Sequence, residues 1–212
     1  KHCETATNKA NRILGLVRRS FDYLDAGMLR QLFKGIVRPH LEYGNSVWAP
    51  LYKKDIAIVE GVQRRATRMV PELRELEYED RLRALKLPSL AYRRFRGDLI
   101  EVYKYTHGLY NVRSEHILPR CQSNVTRGHP FKLVKQASRL DIRKHFFGLR
   151  VVNSWNSLPE KVVSAPSLNS FKNRLDRAMS DHLYSLTLPE ITSRLEAPLR
   201  SEDPESGPEE AL

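Results

Sequence analysis

The sequence predicts a mostly α-helical fold, a helical array with one irregular insert that is either a short strand or an extended clamp. Three observations predict it. Apolar residues recur three and four positions apart in one segment after another. Asp, Ser and Pro stand at the places where such segments should begin and end. Only 108–136 lacks the helical period, with short apolar runs and turns at Arg127–Gly128 and His129–Pro130.

In chain order, Ala6 to Phe21 reads as a helix with Ile13, Leu16, Val17 and Phe21 inward and Lys9, Arg12 and Arg19 outward. Asp25 stands at an N-cap position for a helix whose stripe is Met28, Leu29, Leu32, Phe33, Ile36 and Val37, with Pro39 as its expected end. Tyr43, Val47, Trp48, Leu51 and Tyr52 are too apolar for a solvated loop and are expected to fill a wedge. Beyond it lies the next helix, which carries Ile56, Val59, Val62, Ala66, Met69 and Val70 and stops at Pro71. A brief helix over Tyr78–Leu85 follows. Ser89 then caps a long helix to about His107 with Tyr92, Phe95, Leu99, Val102 and Tyr103 inward. After the insert, where Phe131–Val134 is the strand or clamp candidate, Ile142–Trp155 reads as helical. Ser167 caps a last helix with Leu168, Phe171, Leu175 and Met179 inward. No internal repeat is visible.

The 212 residues suffice for a substantial core, and 41% of them are hydrophobic. They divide by composition into a basic helical region at 1–107, a region with the insert and further helices at 108–188, and an acidic tail at 189–212 expected to be disordered. No apolar run approaches the roughly 20 residues of a membrane helix. The opening Lys1-His2-Cys3-Glu4 has neither an initiator Met nor a signal-peptide core, so a truncated, non-secreted chain in the nucleus or cytoplasm is expected. Cys3 and Cys121 are too few for a disulfide framework. Net charge is +11. Since Glu190, Glu196, Glu202, Asp203, Glu205, Glu209 and Glu210 oppose only Arg194 and Arg200 in the tail, the body is more positive still. Clustered bases of that excess point to nucleic acid or another polyanion.

Catalytic patterns are missing from the sequence. No adjacent Asp pair exists to hold metal ions for phosphoryl transfer, and Tyr23-Leu24-Asp25 is followed by Ala26. His116, Cys121 and His129 lack the fourth ligand and the spacing of a zinc site. No phosphate loop or nucleophile elbow is present. Binding remains. Arg18, Arg19, Lys34, Arg38, Arg64, Arg65, Arg68, Arg93, Arg94 and Arg96 are the candidate backbone contacts. Tyr43 and Trp48 are possible base-stacking platforms, with Trp48 flanked by enough apolar residues to serve the core instead. Arg93, Arg94 and Arg96 load the start of a helix, where the dipole disfavours cations, which hints at an outside ligand.

Ordered blocks of the chain resemble a known family. KANRILGLVRRSF at 9–21, LFKGIVRPHLEYGNSVWAP at 32–50 and VQRRATRMV at 62–70 are similar to the region after the polymerase palm in non-LTR (LINE, jockey-like) retrotransposon reverse transcriptases. LKLPSLAYRRFRGDLIEVYK at 85–104, RKHFFGLRVVNSWNSLP at 143–159 and SLNSFKNRLD at 167–176 continue the resemblance, which spans about residues 3–180. It implies a thumb-like helical bundle over 9–106 that holds template–primer, RNA–DNA hybrid or duplex DNA, followed by C-terminal helices. The palm with its catalytic aspartates and Mg2+ is the implied missing partner, so no catalytic residue, metal ligand or cofactor is assigned to this chain. A fragment of an RNA-directed DNA polymerase, inactive alone, is the expected identity. A helical protein-interaction module, repurposed or docking onto that palm, is the alternative.

Overall fold

The computed structural model describes residues 1–50, 52–112, 115–121, 128–140, 143 and 145–186. The acidic tail and Leu51 lie outside them. The helices are α1 (His2–Ser20), α2 (Ala26–Leu32), α3 (Arg38–Glu42), α4 (Lys53–Thr67), α5 (Tyr78–Leu85), α6 (Leu90–Thr106), α7 (Phe147–Arg150), α8 (Val152–Asn156), α9 (Glu160–Val163) and α10 (Leu168–Ala178). Among the described residues there is no sheet. The described residues of the insert contribute one isolated antiparallel bridge, Arg120 with Leu133, so Phe131–Val134 is an extended clamp, and the expected turn at Arg127 lies outside the described residues. No described helix is long and apolar enough to cross a membrane.

The caps fall where their chemistry requires. The Asp25 carboxylate accepts the Met28 N–H at 2.8 Å, Ser89 Oγ that of Tyr92 at 3.1 Å, and Ser167 Oγ that of Ser170 at 3.2 Å. Pro39 does not end its helix. The turn over Phe33–Val37 is a π turn, and the Arg38 N–H reaches back to the Phe33 carbonyl. Pro39 then sits in the first turn of α3, where its lacking N–H has no helical partner to lose. The rod runs on to Glu42.

Two apolar cores meet along α6. The first joins Ala10 and Leu14 of α1, Leu29, Phe33, Val37 and Leu41 of the α2–α3 rod, Val59, Val62 and Ala66 of α4, Leu82 and Leu85 of α5, and Leu90. The second gathers Tyr92, Leu99, Val102 and Tyr103 of α6 around Trp155, Val163, Phe171 and Leu175. In it Phe131, His107, Tyr103 and Phe171 form a stacked column with successive centroid separations of 4.4, 3.9 and 4.3 Å. Polar groups tie the helices together within the first core and beside α6. Glu60, 4% exposed, accepts the Leu90 N–H at 3.0 Å and the Tyr78 hydroxyl at 2.6 Å. Arg150 donates to both oxygens of Asp98 at 2.9 Å and to the Asn45 carbonyl at 2.9 Å. Gly148 lets α7 approach the insert, since a Cβ there would lie 2.3 Å from the Ile117 carbonyl oxygen.

Several expectations of phase and packing are corrected. α1 buries Thr7, Ala10, Leu14 and Val17, while Leu16 and Phe21 are largely exposed, because its neighbours α3 and α4 lie one residue round from the expected face. Ile36 is 45% exposed; the widened π turn rotates it out of the stripe. Tyr43, Val47 and Tyr52 do not fill a wedge but stand in solvent, since α1, the rod and α4 already close on one another. Of the helix expected from Ile142 to Trp155, Ile142 and Lys144 lie outside the described residues, and 145–155 is not one helix: the chain enters α7 at Phe147 from an extended Phe146, and α8 follows separately.

Candidate nucleic-acid interface

α1 packs along α4, and beyond their last turns the chain bends twice, through Phe21–Asp25 and through the 3-10 turn Pro71–Leu73. Between these bends lies a groove of about 590 Å³. Its apolar floor is Leu14, Gly15, Phe21, Leu24, Met69 and Pro71. Arg18, Arg65, Arg68 and Arg74 line it, along with Asn11 and Asp22. All four arginines are exposed. Arg65 is held by the Asn11 side-chain carbonyl at 2.9 Å, a neutral partner that orients the guanidinium without cancelling its charge.

More positive charge stands close by. The Arg64 guanidinium lies over the Tyr78 ring, 4.7 Å from its centroid. Arg81 is 3% exposed and donates to Thr67 Oγ1 at 3.0 Å and to the Leu76 carbonyl. Burial, then the repulsion of Arg68 and Arg64, lowers its pKa. Among the described residues none of Arg18, Arg64, Arg65, Arg68, Arg74 and Arg81 makes an ion pair. The α4 dipole helps accommodate this, because Arg64, Arg65 and Arg68 sit at its negative end. At the rim the Tyr23 hydroxyl donates to Glu72, holding that carboxyl below its ordinary value and tying the two bends together.

The remaining expected contacts are placed elsewhere. Arg19 is exposed on α1 but does not line the groove. Lys34 is exposed on the π turn; partial desolvation of its ammonium and repulsion from Arg38, Arg30 and Arg93 lower its pKa. Arg38 is paired with Glu42 at 3.6 Å. Arg93 grips the same carboxylate with both Nε and Nη2, the latter at 2.9 Å. Arg96 is bidentate to Asp176, with Nη2 at 2.8 Å from Oδ2. Arg94 is 7% exposed, donates to the Leu41 carbonyl at 3.3 Å and lies 5.7 Å from the Trp48 ring centroid. The arginines at the start of α6 thus meet Glu42, the Leu41 carbonyl, the Trp48 ring and Asp176 within the protein, while Arg94 Nε is buried without a hydrogen-bond partner among the described residues. Tyr43, 84% exposed, offers a bare ring; half-buried Trp48 donates to the Tyr43 carbonyl at 2.6 Å and meets the His2 ring edge-on at 4.4 Å.

Arg74 and Arg81 escaped the sequence reading because acids surround them in the chain: Glu72, Glu75 and Glu77 near one, Glu79 and Asp80 near the other. The one usable signal was Pro71, which turns the chain back beside the end of α4. As for chemistry, no group of three His, Cys, Asp or Glu among the described residues could hold a metal ion. His129 is buried with Nε2 3.0 Å from the Trp155 carbonyl oxygen, a core position, and burial lowers its pKa. Compared with protein-family models, curated proteins and solved structures, the chain matches none.

Proposed function

We propose that this chain binds the phosphate backbone of nucleic acid through the groove between α1 and α4, as the thumb-like, post-palm region of a non-LTR retrotransposon reverse transcriptase. The observation that carries the reading is the set Arg18, Arg65, Arg68 and Arg74 gathered on one groove without carboxylate partners among the described residues. Cations left uncompensated at one site are what a polyanion needs, and counterion release from the polyanion supplies the affinity. The ordered sequence blocks support the family. The reading makes the chain a holder of template–primer with no catalysis of its own, Mg2+ chemistry residing in a palm elsewhere, and an intracellular working place. The exposed Tyr43, Val47 and Tyr52 also favour a second contact, apolar in character, with that palm or another protein.

The test is a salt titration of binding to an RNA–DNA hybrid and to duplex DNA. Affinity should fall steeply with salt, and the triple reversal Arg64→Glu, Arg65→Glu, Arg68→Glu should abolish binding while the circular dichroism melt is retained. Undetectable binding at low salt would remove the reading. Light scattering checks the apolar contact: self-association of the isolated chain that Tyr43→Ser and Val47→Ser reverse is expected if that face is adhesive.

A further inference from the structure

The groove's floor specifies more than a polyanion. A duplex presents two phosphate rows outside stacked, inaccessible bases, and a backbone-only contact calls for a broad basic surface. Here arginines and apolar side chains line one groove of about 590 Å³, the scale of a small-ligand site and far smaller than a duplex. The exposed Phe21 ring and the Met69 side chain lie on the same floor as Leu24 and Pro71. A positive groove with an aromatic face is the arrangement that holds unpaired nucleotides, the phosphates on arginine and a base on the ring. Asp22, the acid of the lining, would repel a phosphate placed beside it, so the phosphates would sit with the arginines and away from Asp22.

We infer that the groove takes a single strand of nucleic acid, one or two nucleotides deep, with the backbone on Arg18, Arg65, Arg68 and Arg74 and a base stacked on Phe21. This rests on the nucleic-acid reading above and narrows it to an unpaired strand, such as would adjoin a held duplex. Phe21 is well placed for the role. It is the first non-helical residue after α1, in extended conformation (φ −134°, ψ 123°), with its ring free of the core.

Fluorescence anisotropy on the whole chain, with labelled oligo(U), oligo(dT), a duplex DNA and an RNA–DNA hybrid of equal length, tests it. Single strands are expected to bind at least about tenfold tighter than either duplex. Phe21→Ala and Phe21→Leu should weaken single-strand binding by roughly 5- to 150-fold, the range for losing one stacked base, and weaken duplex binding far less. Phe21→Trp should restore it. Because Phe21→Leu keeps apolar bulk and Phe21→Trp keeps the ring, a folding defect would be separated from a lost stack. Equal or tighter duplex binding, or single-strand binding indifferent to all three changes, overturns the single-strand inference and leaves backbone binding standing. No binding to any probe at low salt overturns both.

Discussion

Arg64, Arg65 and Arg68 end α4 beside an open groove, whereas Arg93, Arg94 and Arg96 begin α6 and are met by Glu42, the Trp48 ring and Asp176. The helix dipole accounts for much of the difference. At a C-terminus cations complement the exposed carbonyls, so the first triplet persists without acidic neighbours. At an N-terminus they oppose the exposed N–H groups, and the second triplet sits there only because carboxylates arrive from α3 and α10. Identical residue types thus give an exposed cationic groove in one place and a tertiary clasp in the other. Arg96 also contributes to its neighbourhood: Tyr92, on the same Asp176, has its hydroxyl pushed up to about 12 by burial and by that carboxylate, with Arg96 and Arg93 pulling the other way.

The sharpest way to break this comparison is Arg94→Ala. It empties a buried site beside Trp48 and removes the cation facing Glu60, and should cost about 2–4 kcal/mol in urea unfolding. Nucleic-acid affinity of the folded protein should not change. An unaltered urea midpoint would place Arg94 outside the clasp.

The next largest effect is a pH dependence of opposite sign in the two cores. Burial raises the Glu60 carboxyl, against the lowering pull of the Tyr78 hydroxyl, the Leu90 and Ala91 N–H groups and Arg94. A raised carboxyl contributes stability that is fully present below its unfolded value, about 4.3, and lost as pH rises through the folded value. His107 and His129 in the second core are lowered, chiefly by burial and further by Arg120 and Lys132 respectively, with backbone carbonyls opposing. Their contribution is present above the unfolded value, about 6.5, and lost as pH falls through the folded one. With Trp48→Phe leaving Trp155 as the reporter, the urea midpoint should fall on acidification from pH 7. Glu60→Gln should deepen that fall by removing the opposing gain; an unchanged profile would discount Glu60.

Arg68→Ala sharpens the groove side. It should reduce the slope of log affinity against log salt by about 0.9, one phosphate contact, and shift stability by less than about 0.5 kcal/mol. Arg93→Ala in the same titration should leave the slope alone and lower the thermal midpoint. The smallest effect belongs to Asp25→Asn, expected within about 0.5 kcal/mol because Asn retains the cap to Met28. A large loss there would give the carboxylate a role beyond capping.

Much of the fold was legible. The α5 bounds, the long α6 and the Asp25, Ser89 and Ser167 caps were all readable because each depends on residues within one or two turns. Pro39 misled because a π turn, which has no short sequence signature, rearranged the hydrogen bonds before it. Tyr43, Val47 and Tyr52 misled because apolar character states a preference for burial without saying whether a place in the core is vacant.

Helicity, capping and the excess of positive charge were determined by the sequence alone, since each is a local or summed property of the chain. Which arginines remain uncompensated was decided only in three dimensions. Glu42 lies 51 residues from Arg93 and Asp176 lies 80 from Arg96, and Arg74 joins Arg18 only because the chain folds back after Pro71. Coulomb interactions act through space, so the charge that a groove presents depends on distances no local pattern encodes.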